Sequence, residues 1–166
     1  MSRRVVLSSS LALVMLPACS DARSQARPDD AMIEPYIAIA TALSQDRTED
    51  VGTAADQVKQ GAATLAGKPG IARIVGAVDG MHSSDLAAAR RSFKIMSDGM
   101  VEYMRSDAPS HAGRVLIHCP MAFANKGALW VQNEGKIANP YHGSEMLRCG
   151  NKLAWDAELP STAKLD

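Results

Sequence analysis

The sequence is poor in aromatic residues, with two Trp, three Tyr and two Phe among 166 residues. It also has no excess of either charge, because 18 basic side chains face 18 acidic ones. Proteins that bind nucleic acid through its phosphates present a basic surface, and those that hold single strands add aromatic side chains on which bases stack. Both features are missing here. The composition therefore argues against nucleic acid as a partner.

Long apolar runs are also scarce, and the one near the N-terminus is short. Residues 1–4 include two arginines, residues 5–16 are mostly apolar, and Leu16-Pro17-Ala18-Cys19 follows. This order is typical of a secretory signal, and the run is too short for a permanent membrane span. No second run is long enough to cross a bilayer. We therefore predict a signal peptide at residues 1–18.

The cysteine directly after this signal is typical of a bacterial lipoprotein, in which Cys19 is diacylated and becomes the new N-terminus. Pro17 departs from the usual residue at its position, so plain secretion with an incidental Cys19 is the alternative. Two acyl chains hold a protein stably on a membrane. Ser20, not Asp, follows Cys19. We therefore predict a periplasmic protein that is lipid-anchored, at the outer membrane rather than the inner one, and touches the membrane by that anchor alone.

The remaining chain is long enough for one domain with a real core. Removing residues 1–18 removes two arginines and leaves a slight excess of acidic side chains. Residues 19–30 are rich in charge, Ser and Pro, as in a tether. We predict a helical metal-binding domain at residues 31–156 and a tail at residues 157–166.

Four segments carry apolar residues at helical spacing. They are residues 31–44, 51–65, 71–78 and 86–104, and the last holds a stripe of Met96, Met100 and Met104 that we assign to the core. Thr48 is a candidate N-cap for the second segment, and Ser83 or Ser84 for the fourth. Gly80 is expected to end the third. Four amphipathic helices predict a bundle.

The pattern changes after Gly113. Residues 115–118 and 129–131 are short, apolar and β-favouring, and a last short strand is expected at residues 153–155. Gly, Asn and Pro punctuate the connections. The predicted fold class is mainly α: a four-helix bundle with a small C-terminal β-hairpin or turn-rich cap.

Several motifs together resemble one family. "RSFKIMS" in the fourth helix, then "CPMA", "GALWV", "NPYHG" and "MLRCG", are similar to the domain of unknown function 3347 family. The similarity covers roughly residues 35–155. Members of that family are free secreted or lipid-anchored proteins, or are fused to periplasmic adaptor subunits of heavy-metal efflux pumps. The resemblance implies copper or silver handling outside the cytoplasm, with an efflux adaptor or copper chaperone as partner.

The resemblance also implies a set of candidate ligands. They are Cys119 and Met121 in the first motif, Met146 and Cys149 in the second, and His82 ahead of the fourth helix. Thiolate and thioether donors prefer Cu(I) and Ag(I), whereas Zn(II) tolerates thioethers poorly. The prediction is a periplasmic copper(I)-binding protein for sequestration or delivery, with Cu(I) or Ag(I) as the bound ion.

The spacing of these residues fits paired donors. Cys119 and Met121 are two apart and project to the same face of an extended segment. Met146 and Cys149 are three apart and meet on one face of a helical turn. His118 is expected to face away from Cys119, because adjacent residues on a strand point to opposite faces. His142 stays open as a further ligand.

The two cysteines have a second interpretation. In an oxidising compartment, cysteines thirty residues apart commonly form a disulfide, worth roughly 3–4 kcal/mol by loop closure. The alternative function is therefore a disulfide-stabilised structural interaction module of an efflux or envelope assembly. An enzyme is not expected, because no haem-attachment motif, nucleophile elbow, phosphate-binding loop or carboxylate pair stands out. Cys119 with His82 or His142 would need a dedicated reductant to serve as nucleophile and base.

Overall fold

A computed structural model describes residues 27–163 and 165. The predicted signal peptide, Cys19 and most of the predicted tether lie outside the described residues. The helices are α1 (Asp30–Ser44), α2 (Val51–Ala62), α3 (Ile71–Gly76) and α4 (Leu86–Ser106), and the strands are β1 (Arg114–Cys119), β2 (Ala128–Asn133) and β3 (Asn151–Leu153). Within the described part of the chain, no helix has the length and apolar character that a bilayer crossing requires.

The helices pack in consecutive pairs on one core. α1 packs against α2, α3 packs against α4, and α4 also packs against β2. The methionine stripe of α4 points inward, and Met96, Met100 and Met104 are all fully buried. The prediction of a mainly helical chain with a small β part is confirmed, and so is the assignment of this stripe to the core.

The helix starts differ from the predicted ones. Thr48 does not cap α2, because the residue before the helix is Asp50, with φ of 63° and no capping side chain. Neither Ser83 nor Ser84 caps α4. Asp85 does so, since its carboxylate accepts the backbone N–H of Ala87 at 3.1 Å. Any of these short polar residues is a good N-cap, so composition alone did not choose among them.

Two other boundaries also moved. α3 ends at Gly76, two residues before its predicted end, and a 3₁₀ turn follows at Asp79–His82. The last strand lies at Asn151–Leu153, two residues earlier than predicted. Its position follows from pairing with β1, in which Leu153 lies opposite Leu116 and Asn151 opposite His118.

The sheet is antiparallel, in the order β2-β1-β3. The hairpin of β1 and β2 was predicted, and it pairs Ile117 with Trp130, which is fully buried. The free edge of β2 is covered by two tyrosines. The Tyr36 hydroxyl accepts the N–H of Val131 at 3.1 Å, and the Tyr141 hydroxyl donates to the carbonyl of Leu129 at 2.5 Å.

Both ends of the described chain are folded onto this core. Asp29, assigned to the tether, is buried and accepts hydrogen bonds from Arg27 and from the Tyr103 hydroxyl at 3.2 Å. In the segment assigned to the tail, a 3₁₀ turn at Ser161–Ala163 packs on β2 and buries Ala163. The ordered core therefore extends beyond residues 31–156 in both directions.

Candidate functional site

Two cysteines meet where β1 ends and β3 begins. Cys119 is the last residue of β1 and is fully buried, whereas Cys149 precedes β3 by two residues and is partly exposed. Both are free thiols, with their Sγ atoms 3.4 Å apart. The two thiols are close because His118 of β1 pairs with Asn151 of β3. This pairing places the end of β1 beside the residues that precede β3.

The sulfur separation lies between the values that the two sequence interpretations require. Two thiolates bound tetrahedrally to one metal ion at about 2.3 Å lie about 3.8 Å apart. Two sulfurs in a disulfide lie about 2.0 Å apart. From the observed 3.4 Å, binding a metal needs an opening of about 0.4 Å, and forming a disulfide needs a closing of about 1.4 Å. Rotation of either cysteine side chain covers both movements, so the contact is compatible with both interpretations.

The two thiols differ in their contact with water. The pKa of Cys149 is raised above its ordinary value, mainly by burial and to a smaller extent by the hydrogen bond and electrostatic interaction with Cys119. The Cys149 thiol is therefore protonated at neutral pH. It becomes a strong ligand only when a metal ion displaces this proton.

The turn that carries Cys149 is anchored by Asn139, which the sequence analysis did not single out. Asn139 is fully buried, and its side-chain amide donates to the carbonyl of Cys149 at 2.8 Å. Its Oδ1 accepts the backbone N–H groups of Tyr141 at 2.8 Å and His142 at 3.1 Å. An Asn directly before Pro in a turn-rich stretch was the available signal, because Asn side chains commonly bond the backbone two residues ahead.

A second clamp fixes the same turn from the helices. Arg90 of α4 donates to the carbonyl of Pro140 at 2.8 Å and to the Asp46 carboxylate at 2.6 Å. Asp46 also accepts the N–H of Ser144 at 3.0 Å. The hydrogen bonds from Ser144 and then Arg90 lower the pKa of Asp46 to about 2. Gly143 lies between these groups with φ of 57°, and a Cβ there would overlap both Asp46 and Arg90.

Met146 is held in the turn that precedes Cys149. It ends the 3₁₀ turn Gly143–Met146, it is partly exposed, and its carbonyl accepts the N–H of Cys149 at 2.9 Å. The predicted helical relation between these two residues thus corresponds to a 3₁₀ hydrogen bond in the structure.

Met121 does not lie on the extended segment that was expected, because its backbone has helical φ and ψ. It follows the end of β1 and precedes a left-handed turn in which Phe123, Ala124 and Asn125 all have φ between 53° and 64°. Its side chain is 48% exposed. Non-glycine residues in this region are strained, and such strain clusters at binding sites and switches.

The histidines lie apart from the thiol contact. His82 faces α2, where its Nε2 is 3.3 Å from Asp56 and its Nδ1 lies against Gly52. His118 is buried and its Nε2 is 3.3 Å from the Thr162 hydroxyl, and burial lowers its pKa. The Nε2 atom of His142 is buried without a hydrogen-bond partner among the described residues.

Over residues 27–163 and 165, no three side chains of His, Cys, Asp or Glu are grouped closely enough to hold a metal ion. The two thiols are therefore available as a pair, and further donors would have to be thioethers or an imidazole that moves. Comparisons with protein-family models, curated proteins and solved structures found no match to this chain. The resemblance drawn from the sequence motifs stays a prediction.

Proposed function

We propose that this protein binds Cu(I) through Cys119 and Cys149 and sequesters or delivers the ion in the periplasm. The observation that carries the proposal is the 3.4 Å contact between two free thiols, one buried and one partly exposed. Two thiolates form a soft ligand pair, which suits Cu(I) and Ag(I).

The donor set supports copper over zinc. A stable zinc site takes four donors, and thiolate, imidazole and carboxylate are the usual ones. The described residues offer no third such group beside the thiols. Met146, three residues before Cys149, and Met121, two residues after Cys119, supply the sulfur donors that Cu(I) accepts. In this proposal Cys119 and Cys149 bind the ion, and Met121 contributes from the solvent side.

The rest of the fold acts as a rigid support. In the proposed architecture α1–α4 form one four-helix bundle, and the sheet with its turns is the cap that carries the ligands. Arg90 and Asp46 tie the ligand-bearing turn to two helices. A diacylated Cys19 would hold this unit at the outer membrane, near an efflux adaptor or copper chaperone that exchanges copper with it. No catalytic step is part of this proposal.

The first prediction tests the thiol pair. Reduced wild-type protein should bind one Cu(I) per chain, and both thiols should then resist alkylation, because the metal occupies both sulfurs. Cys119→Ser and Cys149→Ser should each lower Cu(I) affinity at least a hundredfold in competition with a chromogenic Cu(I) chelator. Met121→Leu with Met146→Leu keeps the side-chain volume and should narrow the preference for Cu(I) over Zn(II).

Met100→Leu is the matched control, because Met100 is fully buried in α4 and has no place in the proposed site. It should leave the metal preference as in the wild type. Cu(I) affinity that survives either cysteine substitution would contradict the proposal.

The same sulfur contact supports a second candidate, a structural module closed by a Cys119–Cys149 disulfide. In that case oxidation should raise the melting temperature and reduction should lower it by several degrees, consistent with a disulfide worth a few kcal/mol. Under the copper proposal, the reduced and oxidised proteins have similar melting temperatures. Adding Cu(I) to the reduced protein raises its melting temperature, because the ion binds the folded state. If reduction lowers the melting temperature by several degrees and adding Cu(I) does not raise it again, the structural module is favoured.

A further inference from the structure

We infer that Asn139 is a positioning residue that holds Cys149 against Cys119. The inference rests on the proposed function for its copper readout, and it concerns a residue that touches neither the metal nor a sulfur in the proposed site. Its basis is the set of hydrogen bonds that one fully buried side chain makes to the turn carrying Cys149.

Every polar group of Asn139 has a partner. Its side-chain NH₂ donates to Cys149, its Oδ1 accepts from Tyr141 and His142, and its own N–H donates to the carbonyl of Leu147 at 2.9 Å. Its carbonyl accepts the N–H of Gly143 at 3.0 Å. The two backbone donors at Oδ1 fix the orientation of the amide, so the NH₂ group must face Cys149.

These bonds act on Cys149 from both of its backbone groups. The carbonyl of Cys149 is held by Asn139, and its N–H is held by the carbonyl of Met146. The peptide units around the Cys149 α-carbon are therefore fixed before any metal arrives. A partly exposed thiol on an unanchored turn would sample many positions, and ordering it would lower the affinity for the ion. Asn139 removes this cost in the folded protein.

A matched control exists in the same sheet. Gln132 is also a buried amide, and its Oε1 accepts from Trp130 and from the backbone of Ala138, while its Nε2 donates to two carbonyls of the following loop. It organises the loop before Asn139 without bonding Cys149. Gln132→Glu therefore makes the same chemical change as Asn139→Asp, away from the thiols.

The experiment compares the Cu(I) affinity of wild type, Asn139→Asp and Gln132→Glu between pH 5 and 8. The Asp side chain keeps an acceptor for Tyr141 and His142, but its second oxygen faces the Cys149 carbonyl. We expect a loss of about 10- to 100-fold at pH 8, the range found when outer-shell partners of metal ligands are removed. The ratio to wild type should recover toward one as pH falls, because a protonated carboxyl donates to that carbonyl again. Gln132→Glu should stay within about threefold of wild type throughout.

Asn139→Ser gives a second variant if the buried charge prevents folding. Its hydroxyl can serve the turn as an acceptor but is too short to reach Cys149. It should lose affinity at all pH values without recovery. The inference would be overturned if the Asn139 and Gln132 variants lost Cu(I) affinity equally, or if both Asn139 variants kept the Cu(I) affinity of the wild type.

A metal-free measurement separates this inference from the proposed function. If wild-type protein binds no Cu(I), the proposed function fails, and the alkylation rate of Cys149 in the reduced protein decides the role of Asn139. Freeing the turn should raise that rate at least tenfold in Asn139→Ser and leave it unchanged in Gln132→Glu. An unchanged rate in Asn139→Ser would show that Asn139 does not position the thiol.

Discussion

Cys149 is the residue whose ionisation should govern metal uptake. Since burial raises its pKa, Cu(I) must displace a proton from this thiol at neutral pH, and the affinity should therefore rise at least tenfold per pH unit between pH 6 and 8. Chelator competition at fixed ionic strength measures this slope. Cys149→Ser is the control, because it removes one displaceable proton and should lower the slope by about one log unit of affinity per pH unit. A pH-independent affinity in the wild type would show that the thiol is already ionised.

The same shift predicts the pH dependence of the metal-free protein. A folded-state pKa above the unfolded value means that the folded protein favours the protonated thiol. The resulting stability is fully present below the unfolded pKa of about 9 and is lost as pH rises through the folded value. The melting temperature of reduced protein should therefore fall more between pH 8 and 10 in the wild type than in Cys149→Ser.

Some individual residues could be predicted from the sequence and some could not. The approach of Cys119 to Cys149 was expected from the motifs that resemble a known family. The role of Asn139 was not, because an Asn-Pro pair predicts a turn without identifying the distant carbonyl that the side chain reaches. His82 was carried over from the same resemblance, and the structure places it beside Asp56 on α2, away from the thiol contact.

At the scale of elements, the turn between residues 139 and 149 depends on one glycine. Gly143 has a positive φ and no room for a side chain between Asp46 and Arg90. Gly143→Ala should lower the free energy of unfolding by about 2–5 kcal/mol, since left-handed backbone costs about 1–2 kcal/mol and overpacking about 1–3 kcal/mol. Urea denaturation measures the change.

Gly113→Ala separates the two contributions. Gly113 also has positive φ, 72°, but nothing lies within 4 Å of its added Cβ. Only the backbone cost of about 1–2 kcal/mol should remain. If both glycine variants lower the free energy of unfolding equally, the close approach of Asp46 and Arg90 to Gly143 does not add to the cost of the substitution.

The elements themselves were predicted with uneven success, for physical reasons. The long amphipathic pattern of α4 and the β-favouring runs of β1 and β2 were found, because periodicity over many residues is a strong signal. β3 was displaced by two residues, because its position is set by pairing with Leu116 and His118 and not by its own side chains. The left-handed turn at Phe123, Ala124 and Asn125 was not predicted, because Phe and Ala rarely adopt positive φ and only Asn125 favours it.

At the scale of the molecule, the sheet is fastened to the helices by a buried cation. Arg114 of β1 donates to Asp30 at 2.7 Å and to Glu34 at 2.8 Å, both on the first turns of α1. Asp30 was assigned to the tether, yet it belongs to this network. The start of the folded unit is thus held to the strand that carries Cys119.

The predicted lipid attachment at Cys19 is close in sequence to this anchored start of α1. The residues between Cys19 and the start of α1 are few. Mass spectrometry of protein isolated from its native membrane should find Cys19 as an acylated N-terminus. A Cys19→Ser variant should be released from the membrane fraction and should keep the Cu(I) affinity of the wild type. An unmodified mature chain that begins elsewhere would contradict the anchor.

The tyrosines along β2 also bear on self-association. A free strand edge offers unpaired N–H and C=O groups on which another chain can add a strand, which is a common start of aggregation. Tyr36 and Tyr141 occupy the N–H of Val131 and the carbonyl of Leu129. Strand addition on this side would require both hydroxyls to be displaced from the protein interior. The opposite edge, formed by β3, is three residues long and exposes Lys152. A short, charged edge of this kind discourages polymerisation, so both edges of the sheet resist the addition of a strand from another chain.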